Sequence, residues 1–534
     1  MKRLSERKKR WIERTASNDR SYKLYLYNRF FVFLLLVLLQ IVISVQWTYS
    51  IVYGSSKWSV LLQELMWMAE LVFVLYLINK SERPSEKLSW ILLILTLPIV
   101  GVPGYLLYGE GRQSRRMQRL TRKAKKSNAQ QREKVQGELP DFSPQNRSDG
   151  ICGFLQSHAE YPVYTDGDVV YYKSGEVMFP EMLQALEKAE KFILMEYFII
   201  AAGKMWSSIL KILLKKAEQG VQIRIIYDDF GCMMTLPPKY NAYLESLHPN
   251  IKCMAFNHII PVFTLRMNNR DHRKMLVVDG KIAFTGGVNI ADEYIAQKRR
   301  FGYWKDSGVK ITGNAVNSFT SMFFYMWNAF RADKEDLSDY LLPLAAMPSE
   351  QETNFRLQPY DVSPLEPVSV GAAVYKDMIA RAEKYIYVFT PYLILDDSMR
   401  DTLCQAAMRG VDVRIVTPGI PDKKMIFRLT RANYSILMKA GVKIYEYAPG
   451  FIHAKSMVCD DTSAVVGTIN LDYRSLYLHF ENAVYFSHCD GVGDLKRDCE
   501  ETFLVSRECT LANTRRGLLG RMVDSVLRVF ETML

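Results

Sequence analysis

FIHAKSMVCDD (residues 451–461) and NNRDHRKMLVVDG (residues 268–280) carry one order twice: a His, one residue, a Lys, four residues, an Asp. Each opens a longer stretch, HRKMLVVDGKIAFTGGVN (272–289) and HAKSMVCDDTSAVVGTIN (453–470). Both read as a β-run, a turn of the Asp-Gly hairpin kind in the first copy, and a second β-run ending in Gly and Asn. Residues two apart on a strand share a face, so His272 with Lys274, and His453 with Lys455, each reach into one space. One such motif alone is most often a chance surface pair, but two in matched contexts are not.

The residues before each motif repeat as well. LQALEKAEKFILMEYFII (183–200) leads to LLKKAEQGVQIRIIYDD (213–229), and YKDMIARAEKYIYVFTPYLI (375–394) leads to LCQAAMRGVDVRIVTPG (403–419). Both read as helix, buried strand, helix, Gly turn, buried strand. Offsets between matched residues stay close, 193 from Glu190 to Glu383, 190 from Gly220 to Gly410 and 181 from His272 to His453. The fold class expected is therefore α/β: two similar domains, each a β-sheet flanked by helices, paired with pseudo-twofold symmetry. Their expected limits are 151–345 and 366–534, joined by a linker at 346–365.

Ahead of them the chain reads differently. FFVFLLLVLLQIVISV (30–45) is uncharged and is followed by Trp47, Tyr49 and Tyr53, where an aromatic belt would lie. Two more apolar runs start at Trp58, carrying Glu64 and Glu70, and at Leu88, interrupted by Pro98, Gly101, Pro103 and Gly104. Each is long enough for a bilayer core of roughly 30 Å, so an α-helical transmembrane region is expected over 30–110, with segments near 30–52, 58–78 and 88–108. A basic tail (1–29) precedes it and a basic, polar linker (111–150) follows. Basic flanks on both sides conflict with three crossings, so either one segment does not cross, the broken third run being the re-entrant candidate, or one basic flank lies outside; everything after Arg112 is placed in the cytoplasm. At the C-terminus, Leu518, Leu519, Met522, Val523, Val526, Leu527 and Phe530 fall on one helical face, suited either to a lipid boundary or to core packing.

The 534 residues carry a net charge of +12, which draws the chain to polyanions such as an acidic membrane surface. Nucleic acid is not expected as a partner, because the positive excess sits beside the apolar runs and neither motif interleaves basic residues with stacking aromatics. Eight scattered cysteines show no metal-ligand spacing and no disulfide framework.

Two imidazoles, two ammonium groups (Lys274, Lys455) and two carboxamides (Asn289, Asn470) brought to one cleft suit a phosphate. The lysines and amides bind its oxygens, one imidazole attacks phosphorus, and the other protonates the departing oxygen. With that much positive charge the residues call for no metal and no other cofactor. Asp279 and Asp460 complete the motifs, although an Asp before a turn often only satisfies nearby backbone N–H groups.

The two His-x-Lys-x4-Asp motifs, GGVN after the first, GTINLDYRS after the second, and the MEYFI and TPYL strands resemble the phospholipase D superfamily. FGYWKDSGVKITGNAV and the hairpin ending LPIVGVPGYLLYGEG are similar, more narrowly, to bacterial cardiolipin synthases, over roughly Trp58 to the C-terminus. The resemblance implies a membrane-bound phosphatidyltransferase of the bacterial plasma membrane, with phosphatidylglycerol and anionic lipid as partners, acting through a phosphatidyl-histidine. It implies His272 as nucleophile, His453 as acid and base, and Asp306 and Glu481 as the carboxylates that orient the imidazoles. Hydrolysis of phospholipid, and more remotely a nuclease activity, remain the alternatives within the superfamily.

Overall fold

The computed structural model describes residues 35, 38–46, 49, 53, 54, 57–80, 83–109, 115–137, 142, 149–258, 269–349, 352–514, 517–529 and 531. The chain divides into two compact units, a smaller one holding the residues up to Arg115 and a larger one made mainly of Arg116–His258 and Asn269–Asp524.

In the smaller unit, helices span Lys57–Asn79, Pro84–Thr96 and Pro98–Tyr108. The third apolar run, expected as one segment, is two helices of 13 and 11 residues that meet at Leu97, with Pro98 opening the second. Proline removes a backbone N–H but fits a first helical turn, so the break falls there. Leu77, Trp90, Ile94 and Tyr105 form a small core, with Tyr105 edge-on to both Trp90 and Phe73. Trp58, Leu61, Leu65, Trp67, Met68, Leu71, Val72 and Leu75 leave the Lys57–Asn79 helix exposed and apolar. Among the described residues, no helix is long and apolar enough to cross a membrane. The first run (30–52) falls for the most part outside the described residues.

The larger unit holds both repeats. Its strands are β1 (Val169–Tyr172), β2 (Phe192–Tyr197), β3 (Gln222–Asp228), β4 (Ile251–Phe256), β5 (Lys274–Val278), β6 (Ile282–Gly286), β7 (Tyr303–Lys305), β8 (Gly308–Thr312) and β9 (Arg356–Val362). They continue with β10 (Tyr385–Phe389), β11 (Asp412–Pro418), β12 (Lys443–Tyr447), β13 (Gly450–Ile452), β14 (Ser456–Cys459), β15 (Ser463–Gly467), β16 (Glu481–Ser487) and β17 (Ser506–Glu508). The sheet orders are β1-β8-β6-β5-β2-β3-β4 and β17-β12-β11-β10-β14-β15-β16-β9. Read from the other end, the second repeats the first strand for strand, with β17 added at its edge. In both, three parallel strands join an antiparallel set: β2-β3-β4 beside β5-β6-β8-β1, and β10-β11-β12 beside β14-β15-β16-β9.

Strands such as FILMEY (β2) are buried along their whole length, as parallel strands covered on both faces must be. The helix Val316–Phe330, almost wholly buried, packs against β5, β2, β6 and β9 and so against both repeats. All eight cysteines are free.

Two expected linkers are structured. The stretch 115–136 is a helix whose Met117, Thr121, Ala124 and Asn128 are buried, with Asn128 donating to the Ser321 carbonyl at 3.1 Å. Residues 356–362, expected between domains, are β9, the edge strand of the second sheet. Two of its polar side chains reach across to Tyr161: Gln358 donates to the Tyr161 carbonyl at 2.7 Å and Asp361 accepts from the Tyr161 hydroxyl at 2.7 Å. The C-terminal helix covers Leu518–Val529, and Leu518, Leu519, Met522, Val523 and Val526 are exposed, so among its described residues the apolar stripe does not pack into a core.

Candidate active site

His272 and Lys274 stand at the start of β5, His453 and Lys455 at the start of β14, all four buried. What brings them into one cluster is a pair of cross-connections between the repeats. β13, just before His453, pairs in parallel with β7 of the first repeat. Asp271, just before His272, bridges Phe480 of the second. The backbone N–H of His453 donates to the Lys305 carbonyl at 2.7 Å, and that of His272 donates to the Phe480 carbonyl at 2.8 Å.

The next residue after each acceptor is a carboxylate, Asp306 and Glu481. Asp306 lies 2.6 Å from His453 Nδ1, and Glu481 lies 2.8 Å from His272 Nδ1. Each imidazole is therefore held by a fully buried acid of the opposite repeat. Such a bond fixes the ring and, with the proton on Nδ1, leaves a lone pair on Nε2. Thr468 Oγ1 donates to Glu481. At the matching place in the first repeat stands Gly287, where an added Cβ would overlap the Asp306 carboxylate.

Burial lowers the pKa of His272 well below its ordinary value, and Lys274, Lys455 and His453 push it the same way. Burial and Lys455 push His453 down to about 4, against Asp306. Burial likewise lowers Lys274 to about 7 and Lys455 to about 8, with Glu481 and Asp306 opposing. Each lysine Nζ donates to the carbonyl of its own motif histidine. Phe198 meets the His272 ring edge-on at 4.9 Å, and Trp304 lies 5.5 Å from the His453 ring. The result is a buried group of opposed charges in aromatic walls, where the field on a bound anion is strong.

The remaining expected residues are placed less directly. Asn289 accepts from the Ile199 N–H and donates to the Tyr294 hydroxyl at 2.7 Å, and Asn470 donates to Asp472 at 3.0 Å; each amide keeps one N–H for another acceptor. Asp279 and Asp460, expected among the catalytic residues, point away from the imidazoles. Asp279 accepts the backbone N–H groups of Glu190, Lys191 and Phe192, each at 2.8 Å. Asp460 does the same for Glu383, Lys384 and Tyr385. They sit at the far ends of β5 and β14, about five residues or roughly 16 Å along the strand from the lysines, with positive φ of 53° and 52°.

Several residues at the site were not singled out in the sequence. Asn482 accepts from the Lys274 N–H at 3.3 Å and donates to Thr285 at 2.8 Å, tying β16 to β5 and β6. His479 lies beside His272, ring centroids 5.7 Å apart, and burial pushes its pKa down to about 4. Its signal was present in LHFE, a His two residues before the acid that opens β16. His272, His479 and Glu481 each present a donor atom within 4.8 Å of the other two.

The family model described as "Cardiolipin synthase, PLD-like domain" matches residues 182–327 and 375–503, and one described as "Phospholipase_D-nuclease N-terminal" matches 71–110. The chain is 42% identical over 466 residues to an uncharacterized protein of Streptococcus mutans, covering 86% of this chain and 99% of that one. It is 32% identical to a cardiolipin synthase of Staphylococcus aureus, covering 87% and 94%, and 31% identical to one of Geobacillus kaustophilus, covering 87% and 92%. In fold it resembles the phosphatidylserine synthase of Haemophilus influenzae, with a TM-score of 0.56 and 14% identity over 73% of this chain and 100% of that one.

Proposed function

We propose, on the premise that this chain belongs to the family of cardiolipin synthases with phospholipase D-like domains, that it is a phospholipid phosphatidyltransferase making cardiolipin from two molecules of phosphatidylglycerol. The observation that carries the reading is the crossed pairing, two buried imidazoles each bonded through Nδ1 to a carboxylate of the other repeat.

In the first step the Nε2 lone pair of His272 attacks phosphorus. The bond to the glycerol oxygen breaks as His453 gives that oxygen a proton, leaving a phosphatidyl-histidine. In the second step a hydroxyl of another phosphatidylglycerol attacks phosphorus, its proton goes to His453, and the N–P bond breaks. Lys274 and Lys455, with the free amide N–H groups of Asn289 and Asn470, take the charge on the non-bridging oxygens. The depressed pKa of His272 suits a nucleophile that must be neutral. His453 must gain a proton to act as an acid; the phosphodiester supplies the negative charge that offsets the lysines and raises its pKa on binding. Glu481 and Asp306 orient the rings and stabilise them when positive. Asp279 and Asp460 take a scaffolding role, anchoring the strands that present the histidines.

The site of action proposed is the bacterial plasma membrane, with the larger unit on the cytoplasmic side. The exposed apolar side chains of the Lys57–Asn79 helix support contact with lipid. A bilayer also presents the acceptor lipid at high local concentration, which favours transfer over hydrolysis. The deciding experiment is incubation with phosphatidylglycerol vesicles and separation of the lipids. Cardiolipin with an equivalent of glycerol is expected; phosphatidic acid alone would make the protein a hydrolase.

A further inference from the structure

His479 has no part in the two steps above, yet its side chain is only 12% exposed and neither ring nitrogen has a hydrogen-bond partner. An orphaned pair of buried polar atoms needs an explanation. Its position is set by the backbone. The N–H of His479 donates to the Arg474 carbonyl at 2.9 Å, and the next residue, Phe480, is zipped to Arg270 and His272. His479 lies in the bend that follows the Tyr473–Tyr477 helix and Glu481 opens β16, and their side chains converge on one face. That face meets His272: Glu481 lies 2.8 Å from His272 Nδ1 and 3.7 Å from His479 Nδ1.

Two imidazoles and one carboxylate are the donor set of a borderline transition-metal ion, and Mg2+ or Ca2+ would choose oxygen ligands instead. The carboxylate is anchored by Thr468, as ligating carboxylates need to be, and it offsets the charge of the nearby lysines. We infer that His272, His479 and Glu481 form a binding site for a Zn2+-class cation, and that an ion held there silences the enzyme.

The inhibition follows from the tautomer. A metal taking the Nδ1 lone pair of His272 displaces the proton that Nδ1 shares with Glu481. That proton passes to Nε2, and an Nε2–H has no lone pair for phosphorus. Binding rests on the geometry alone. The loss of activity rests also on the proposed role of His272.

The test uses the full chain in phosphatidylglycerol vesicles, stripped with a chelator and titrated with Zn2+. Bound zinc is counted by elemental analysis, and cardiolipin formation is followed in parallel. The wild-type protein is expected to bind one equivalent, to lose activity as it does so, and to recover on chelation, while millimolar Mg2+ does neither. His479→Asn is expected to keep its metal-free activity and to need at least ~10-fold more Zn2+, the low end of what losing even a supporting partner of a metal costs. His258→Asn, which removes a histidine lying 3.0 Å from Asp229 elsewhere on the chain, serves as control and is expected to behave as wild type. Equal binding and inhibition in His479→Asn and wild type, or no zinc bound by wild type, overturns the inference. A chelated wild-type protein that makes no cardiolipin overturns the functional reading instead, and the zinc count still decides the site.

Discussion

The histidine proposed to attack phosphorus and the one proposed to deliver a proton are chemically alike; their carboxylates come from different surroundings. Glu481 carries a hydroxyl from Thr468 and has His479 alongside, whereas Asp306 fits because Gly287 leaves room for it. Under the proposed roles, Glu481→Gln slows formation of the phosphatidyl-histidine, and Asp306→Asn slows both proton transfers. Each is expected to lower kcat by about 10²–10⁴-fold with little change in KM, by analogy with the orienting acid of a catalytic triad. Rapid quenching should show the adduct accumulating less in Glu481→Gln. His453→Ala should lose at least ~10²-fold in turnover, and near-normal cardiolipin synthesis by that variant would remove His453 from the mechanism.

The lysines set the alkaline side. With pKa values lowered to about 7 and about 8, their charge is complete below that range and lost as pH rises through it, so activity on vesicles should fall between pH 7 and 9. Stability runs the other way at acid pH. The histidines titrate near 6.5 when unfolded and lower when folded, so the unfolded chain binds more protons between those values. Stability present above about pH 6.5 is therefore lost as pH falls toward 4, and Tm should be lower at pH 5 than at pH 7.5.

Among the elements, the motif aspartates are the clearest case where spacing suggests chemistry and the observed bonds are to the backbone. Asp279→Ala leaves three backbone N–H groups without their acceptor. Charge-assisted bonds of this kind contribute about 1.5–3 kcal/mol each and are not additive, so a fall in Tm of roughly 5–10 °C is expected. Activity per folded molecule should stay within about threefold of wild type. A large loss of activity without a Tm change would return Asp279 to the catalytic group. Gly287→Ala should do the converse, pushing Asp306 off His453 and abolishing turnover while the sheet survives.

The repeat was legible because buried parallel strands read as unbroken apolar runs flanked by Gly turns. β9 was not, since four of its seven residues (Arg356, Gln358, Pro359, Asp361) carry no strand signal, and the partners that bury the three polar ones are distant in sequence. The 115–136 helix hid for a related reason. Its inward face, Met117, Thr121, Ala124 and Asn128, has helical spacing, but two of the four are polar and nine Lys or Arg surround them. At the site, both His-Lys pairs could be read from the motifs. Which acid serves which ring could not, because the pairs join residues 209 and 147 apart across two repeats.

For the whole molecule, charge and apolar surface bear on the proposed contact with lipid. The helix Arg115–Gln136 turns Arg116, Arg119, Arg122, Lys123 and Lys126 outward while its other face packs in the core. Basic groups near an acidic membrane contribute about 1 kcal/mol each. Replacing these five by Gln should weaken sedimentation with anionic vesicles and reduce its dependence on salt, while binding to neutral vesicles changes little.

The exchange of carboxylates between the repeats also constrains how the sequence can drift. Under the proposed mechanism neither half is a self-sufficient catalyst that the other merely assists: a lesion near Asp306 would disarm the ring of the second repeat, and one near Glu481 that of the first. Expressed apart, each half would carry a histidine without its acid, so activity should return only when the two are mixed and reassociate. One copy of this duplicated pair is thus never a spare, free to take up a new trade while its twin keeps the old one.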